Sequence, residues 1–338
     1  MNTPLVPPLV TVIIPNYNYG TTIGLCVQAA QRQTYQPIEI LVVDDCSTDD
    51  SVAVAQALGA RVVSTGVNGG VAVARNLGAA EASGEILVFV DSDVAMHPDA
   101  VANAVAALRA DPTAGVVAGT YEPEPLIVNG VVERYRNFHQ YYWLEAAAGE
   151  LHDFVPTAIM AIPAIVYAEL GGFQPHLRET EGADFGRRLG ARHRMLLSLA
   201  VRGKHDNDPT LRVVLRKVFH RTRLHIPFFL DRSRVAQVAT SQQSGGCLAA
   251  ALALAAAPAP ALLGAIGALL PLAFFAAWYL GERRFFRAAM RYRGPGFAVA
   301  VVALHYLVNL TTAAGIAVGL TQWVSSTRFR RLYTGLAA

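Results

Sequence analysis

Three short apolar runs, each stopped by a polar cluster, constrain this chain more than any other feature. Residues 10–14 run into Pro15 and Asn16-Tyr17-Asn18, residues 38–43 into Asp44-Asp45, and residues 86–90 into Asp91-Ser92-Asp93. Short runs rich in branched apolar residues fit buried strands. Helical patterns lie between and after them, over 22–33, 51–58, 71–82 and 98–109, with one more short strand over 61–64. Strands alternating with helices predict an α/β domain built on a mostly parallel sheet with helices on both faces. In such sheets ligands sit beyond the carboxyl ends of the strands. The three polar clusters therefore converge on one crevice.

The residue types in the crevice suggest its chemistry. Asp91 and Asp93 are two carboxylates one residue apart at a strand end, and side chains at i and i+2 can point the same way. Hard oxygen donors of this kind suit Mg²⁺ or Mn²⁺, which bridge one or two carboxylates to substrate phosphates. A turn or a helix cap is the structural alternative for each cluster. Capping explains one polar residue near Asp44-Asp45 but not two adjacent acids, and a carboxylate there can accept from a base N–H or a ribose hydroxyl. Asn68-Gly69-Gly70 leads into a helix carrying Arg75-Asn76. Glycines let a backbone approach a phosphate, and Arg75 supplies positive charge.

Taken together, VTVIIPNYN, VVDDCSTDDS and NGGVAVARNLGAAEASGEILVFVDSD, in that order across residues 9–100, resemble the N-terminal half of a family 2 glycosyltransferase. Gly171-Gly172-Phe173 and ETEGADFGRRL resemble the family's C-terminal catalytic segment and extend the likeness to about residue 205. The resemblance implies a GT-A nucleotide-sugar-binding domain over 1–210 and inverting sugar transfer. It implies that Pro15, Tyr17 and Asp45 line the nucleotide pocket. Asp93 would bind the divalent metal, Mn²⁺ or Mg²⁺, with Asp91 helping to hold the sugar diphosphate and His205 making a further metal or diphosphate contact. Relatives carry Glu-Asp where this chain has Glu181-Gly182, so the position of the family's general base is a glycine. Either Glu181 or Asp184 takes that role, or the acceptor is a phosphate that is already ionised, such as a polyprenyl phosphate. No QxxRW motif of processive synthases is present, which favours single-sugar transfer. Two competing readings are a nucleotidyl or phosphoryl transferase, against which the lack of GxxxxGK[ST] counts, and an inactive membrane scaffold, for which Gly182 counts.

Composition matters most in the last quarter. Residues 247–279 and 297–324 contain no Asp, Glu, Lys or Arg, and such windows are candidates for crossing a membrane. The 34 residues of 247–280 exceed the roughly 20 that one span needs, and Pro258 and Pro260 would break them into a hairpin. With 297–324 this predicts three spans within 247–324, the alternative being two spans, which would reverse the placements of the loop and the tail that follow. The five arginines between 281 and 296 would form a cytoplasmic loop, and the basic tail 325–338, with Arg328, Arg330 and Arg331, would lie opposite. Segment 211–246 reads as basic, interfacial and amphipathic, with Arg212, Arg216, His220 and Arg223 on one face and Leu211, Leu215 and Val218 on another. The basic runs flank apolar spans rather than form a separate domain, so membrane lipids are the expected partners and nucleic acid is not. Three scattered cysteines with no CxxC suit a reducing compartment. The first ten residues lack a signal-peptide pattern. The expectation is an integral protein of the cytoplasmic membrane with its catalytic domain in the cytoplasm, using a nucleotide-sugar donor and a lipid-linked acceptor.

Overall fold

The computed structural model describes residues 7–152, 154–230 and 241–331. It forms two compact units, one of residues up to 128 together with 136–207, the other of 129–135 together with those from 208 onward.

The first unit begins β1 (Val10–Asn16), α1 (Ile23–Gln31), β2 (Ile38–Asp44), α2 (Ser51–Ala57), β3 (Arg61–Ser64), α3 (Val71–Glu81), β4 (Ile86–Val90), β5 (Val94–Met96) and α4 (Ala100–Ala110). It continues β6 (Ala114–Tyr121), α5 (Val131–Ala146), β7 (Gly149–Leu151), β8 (Ile159–Pro163), α6 (Ala164–Glu169), α7 (Glu181–Gly190) and β9 (Arg194–His205). The first turn of α5 belongs to the other unit. The sheet runs β3-β2-β1-β4-β8-β6-β9-β5, with β7 paired to β9. β1, β2, β3 and β4 pair in parallel, as the strand–helix alternation predicts. Beyond β4 the sheet is mixed, because β8 returns antiparallel to both β4 and β6. Strand residues alternate between the two faces. Val12, Ile14, Val42 and Val88 pack with α1 and α4, while Ile13, Leu41, Val43 and Phe89 pack with α3 and α7. Each of these side chains is fully buried, which stabilises the fold by roughly 1.5–3 kcal/mol per residue. Helix α3 lies so close to the sheet that a Cβ on Gly78 would stand 2.3 Å from Ile13 Cγ2. This close seat fixes the height of Arg75 and Asn76, one turn earlier, relative to the strand ends.

The second unit contains α8 (Leu211–Leu230), α9 (Ser241–Ala255), α10 (Ala259–Leu263), a 3₁₀ turn (Gly264–Ala268), α11 (Leu269–Gly281), α12 (Arg283–Ser325) and α13 (Thr327–Arg330). The basic loop expected over 281–296 is instead helical. It folds back on the later part of α12, because Gly294 takes φ 82° just before Pro295. The ring of Phe285 lies 4.9 Å from that of His305, whereas twenty residues of straight helix span about 30 Å. Among the described residues two helices, not three, are long and apolar enough to cross a membrane: Ala259–Gly281 and Arg283–Ser325. The apolar stretch Gly245–Ala255 is shorter than a span requires. Over 247–280 the chain forms α9, α10, the 3₁₀ turn and α11, with α9 packed against α11. A Cβ on Gly246, near the start of this stretch, would stand 2.7 Å from Glu282 Oε1, just past its end. The amphipathic pattern after 210 forms α8, which packs against α12. Cβ atoms on Gly315 and Gly319 would stand 3.0 Å from the carbonyl oxygens of Phe219 and Arg223. Residues 1–6 of the N-terminal reading, 231–240 of the interfacial segment and 332–338 of the basic tail lie outside the described residues.

Candidate active site

The strand ends and their loops tie together through short polar bonds. Asn16, buried at the end of β1, directs its amide nitrogen to Asp44 Oδ1 (3.0 Å), Ser47 Oγ (3.0 Å) and Ser51 Oγ (2.8 Å). Asn18, at φ 60°, accepts from the Thr48 backbone N–H at 2.7 Å. Between these two asparagines Tyr17 presents a ring that is 46% exposed, while Pro15 is buried within β1. Asp45 is itself buried. Its two carboxylate oxygens accept from the backbone N–H groups of Gly69 (2.9 Å) and Gly70 (2.7 Å), and Thr65 Oγ1 donates to it at 2.9 Å. Asp45 thus shapes the glycine loop at the start of α3.

Arg75 takes a different place from the one its sequence context suggests. It is 2% exposed and lies within the acid cluster rather than on a surface facing a phosphate. One guanidinium nitrogen meets Asp91 Oδ1 at 2.8 Å, and another meets Glu181 Oε1 at 3.4 Å. Arg75 therefore bridges the acid after β4 to the acid that opens α7. Glu181 Oε2 is buried and has no hydrogen-bond partner among the described residues. An exposed cation does lie nearby: the Arg178 guanidinium passes over Gly70, where a Cβ would meet its Nε at 3.6 Å.

Asp93 faces His205 across 3.4 Å. The imidazole is held on its other nitrogen by Gln140 Oε1 at 3.2 Å, and its ring lies 4.9 Å from that of Tyr121. Burial pushes the His205 pKa down, but the Asp93 and Asp91 carboxylates more than offset it, so the group lies above its ordinary value. Burial, then Asp91 and Asp93, push the Tyr121 hydroxyl up and keep it protonated. Among the described residues no three His, Cys, Asp or Glu side chains group as a complete metal cage. The donor set nevertheless fits an ion of the Mg²⁺ or Mn²⁺ kind. Asp93 Oδ1 and His205 Nε2 are close enough to share one cation, and such ions take their remaining ligands from phosphate and water.

Of the two acids expected to serve as base, Asp184 is closed off. It is 1% exposed, accepts from Arg188 Nε at 2.8 Å and has Arg187 at 3.5 Å. The reason is helical spacing, which puts i+3 and i+4 arginines on the same face as Asp184. Arg188 also donates to the carbonyls of Leu170 (2.6 Å) and Gly172 (2.8 Å). Asp184 is thus part of a staple that holds the Gly171-Gly172-Phe173 turn. Asn76 completes the staple by bonding Tyr167 Oη and both backbone groups of Phe173. Gly172 sits there at φ 69°, and a Cβ would stand 2.7 Å from Asn76 Oδ1. Gly172→Ala is expected to lower stability by about 1–3 kcal/mol through strain and lost hydrogen bonds, read as a lower urea midpoint. An unchanged midpoint would contradict this packing.

With this geometry in view, the comparisons with known proteins decide the class. The family model described as "Glycosyl transferase family 2" matches residues 11–222, more than half of the chain. The chain belongs to glycosyl transferase family 2. Its fold is of the GT-A type. Glycosyltransferase GlyG of Streptococcus pneumoniae is 42% identical over 90 residues, 25% of this chain and 30% of that protein. Glycosyltransferase AglE of Haloferax volcanii is 30% identical over 182 residues, 50% of this chain and 57% of that protein. The chain thus spans less than two thirds of these curated relatives. The mannosyltransferase PcManGT from Pyrobaculum calidifontis, solved with GDP-Man and Mn²⁺, superposes with a TM-score of 0.59 at 20% identity, covering 95% of this chain and 88% of that one. At that identity the likeness speaks for the fold.

The expected site residues of this family 2 enzyme fall into two groups. Asp91, Asp93, Arg75, Glu181 and His205 come together at the carboxyl end of β4, while Tyr17 and Asp45 stand by the loops after β1 and β2. Gln140, Tyr121 and Arg178 went unread in the sequence. Tyr121 and Gln140 lie far in the chain from the motifs, while Arg178 stands directly before ETEGADFGRRL with no local pattern to mark it.

Proposed function

We propose that this family 2 glycosyltransferase transfers a single sugar, with inversion, from a nucleotide-sugar to a lipid-linked phosphate acceptor, using Mn²⁺ or Mg²⁺ at Asp93 and His205. In this reading the enzyme is anchored to a membrane by its apolar second unit, with the catalytic unit in the cytoplasm. The observation that carries the acceptor assignment is at 181–184. Gly182 stands at the family's base position and Asp184 is consumed by Arg188, so no strongly placed base remains beside Glu181.

The chemistry is built from what the residues can do. Tyr17 and the Asp45 loop receive the nucleotide. Arg178, exposed over Gly70 and in no ion pair among the described residues, offers charge to the diphosphate. A bound divalent ion supplies Lewis-acid stabilisation of the leaving nucleoside diphosphate. Arg75 holds Asp91 and Glu181 in place by bridging their carboxylates. An acceptor phosphate oxygen attacks the anomeric carbon on the face opposite the diphosphate, whose bond to that carbon breaks. Glu181 Oε2, buried and without a partner among the described residues, is available to accept a hydrogen bond from a sugar hydroxyl.

A general base contributes typically about 10²–10⁴-fold in rate. If the acceptor is a phosphate, Glu181→Gln is expected to retain turnover within about tenfold of the parent. Asp184→Asn is expected to lower thermal stability, because it leaves Arg188 imperfectly paired, while sparing turnover per folded molecule. Turnover with native lipid extract checks both. Loss of about 10²-fold or more in Glu181→Gln, with donor binding intact, would mean a hydroxyl acceptor.

A further inference from the structure

We infer that the second unit enters only one leaflet of the bilayer, through the hairpin 245–281, and that α12 does not cross. The inference refines the membrane anchoring proposed above and rests on it.

The hairpin carries most of the exposed large apolar side chains of the described second unit, with a smaller set, among them Val299, Leu307, Val318, Leu320 and Val324, on α12. Leu262 is 80% exposed, Ile266 77% and Leu272 62%, and Leu248, Leu254, Leu269 and Leu280 are exposed beside them. An uncharged aliphatic face of this extent does not persist in water. Its arms are short, however. The apolar part of α9, Gly245–Ala255, rises about 16 Å, and the thirteen residues of α11 about 20 Å. The hydrocarbon core is about 30 Å thick. Between the arms the chain does not extend further but folds up. Gly264 takes φ 67°, and a Cβ on Gly267 would stand 2.2 Å from the Ala259 carbonyl oxygen. This compact tip also suits lipid. Ala257, Ala259 and Ala261 donate their N–H groups within the turn, and Pro258 and Pro260 have none to leave unpaired.

Helix α12 is flanked by charge along its length. Its first part, 283–293, folds back on the start of its second, with Phe285, Phe286 and Ala289 turned inward. That leaves Arg283, Arg284, Arg287, Arg291 and Arg293 exposed. Further along, α8 packs on Gly315 and Gly319 and exposes Arg212, Arg216 and Arg221. If 297–325 crossed the bilayer, one or both sets of arginines would be drawn into hydrocarbon, where charged side chains are costly. With the hairpin alone inserted, the 283–293 helix lies at the headgroups, where its arginines meet anionic phospholipid. Glu282, beside His305 at 3.7 Å, pins the corner from which that helix starts.

The test is cysteine accessibility to a membrane-impermeant maleimide, in intact cells and in inside-out vesicles. The variants carry Cys46→Ser, since Cys26 and Cys247 are buried, plus one of Leu262→Cys, Ile266→Cys, Arg287→Cys or Thr327→Cys, all at exposed positions. Positions 287 and 327 are expected to label only in inside-out vesicles. Positions 262 and 266 are expected to label in neither preparation until detergent is added. Labelling of 287 and 327 from opposite sides, or of 262 or 266 in intact cells, would overturn the inference. Alkaline carbonate extraction separates the underlying reading: a protein released by carbonate is not anchored, whereas one retained but labelled from both sides is anchored and crosses.

Discussion

Asp93→Asn is expected to reduce sugar transfer at least about 10³-fold, to the level of the EDTA-treated parent enzyme. The substitution keeps the side chain's size and removes its charge. Asp93 faces His205 at 3.4 Å, and its own side chain is 13% exposed. Asparagine therefore leaves the imidazole in place but offers a cation one neutral oxygen instead of a carboxylate. A divalent ion worth several kcal/mol to the leaving diphosphate corresponds to roughly three or more powers of ten in rate. Donor binding should weaken in the presence of Mn²⁺ and change little without metal, which separates loss of the ion from loss of the fold. Binding by isothermal titration with and without Mn²⁺, alongside turnover, makes the measurement. Full parental activity in EDTA would remove the metal from the mechanism, and equal weakening of donor binding in both conditions would place Asp93 in a role other than ion binding.

Arg75→Met should be the most destabilising single change in the acid cluster, by about 3 kcal/mol. Arg75 is buried, and removing one partner of a buried ion pair leaves the remaining charges uncompensated. Glu181 is nearly buried, so it bears most of that penalty. Asp91, with 31% of its side chain exposed, is relieved in part by water. In a unit of this size about 3 kcal/mol lowers the melting temperature by roughly 6–12 °C. Transfer by the folded fraction should also fall, because Asp91 and Glu181 lose the bridge that aims them. Pairing Arg75→Met with Glu181→Gln should recover part of the stability, since the second change removes one stranded charge. Additive losses in that double-mutant cycle would mean that the 3.4 Å contact carries no coupling.

The sequence was most legible where its local pattern and the tertiary environment ask for the same residue. β1, β4 and the second half of β2 are buried on both faces, so they are mainly apolar, and each must stop where the sheet meets solvent. That is why the Asn16, Asp44-Asp45 and Asp91-Ser92-Asp93 ends could be read directly. β5 and β7, at three residues each, offer too little pattern to detect. β6 is interrupted by Gly115 and Gly119, which are required by close neighbours at His193 and Val201. A similar limit applied to the arginine-rich stretch after Gly281. Five arginines suggested a loop, but Phe285, Phe286 and Ala289 give it a buried face, and only the contact with His305 reveals that it folds back.

The sequence by itself determined the parallel half of the sheet, the crevice at its carboxyl edge and the polar strand ends beside it. These depend on residues close together in the chain, where strand and helix periods and turn chemistry act locally. Only the tertiary structure decided what each charge is for. Arg75 and Glu181 are 106 residues apart in the chain, and Asp184 looked as available as Glu181 until Arg188 was seen against it. A charged side chain carries no record in its own neighbourhood of which distant partner will neutralise it. Burial makes that pairing obligatory, and burial is a property of the fold.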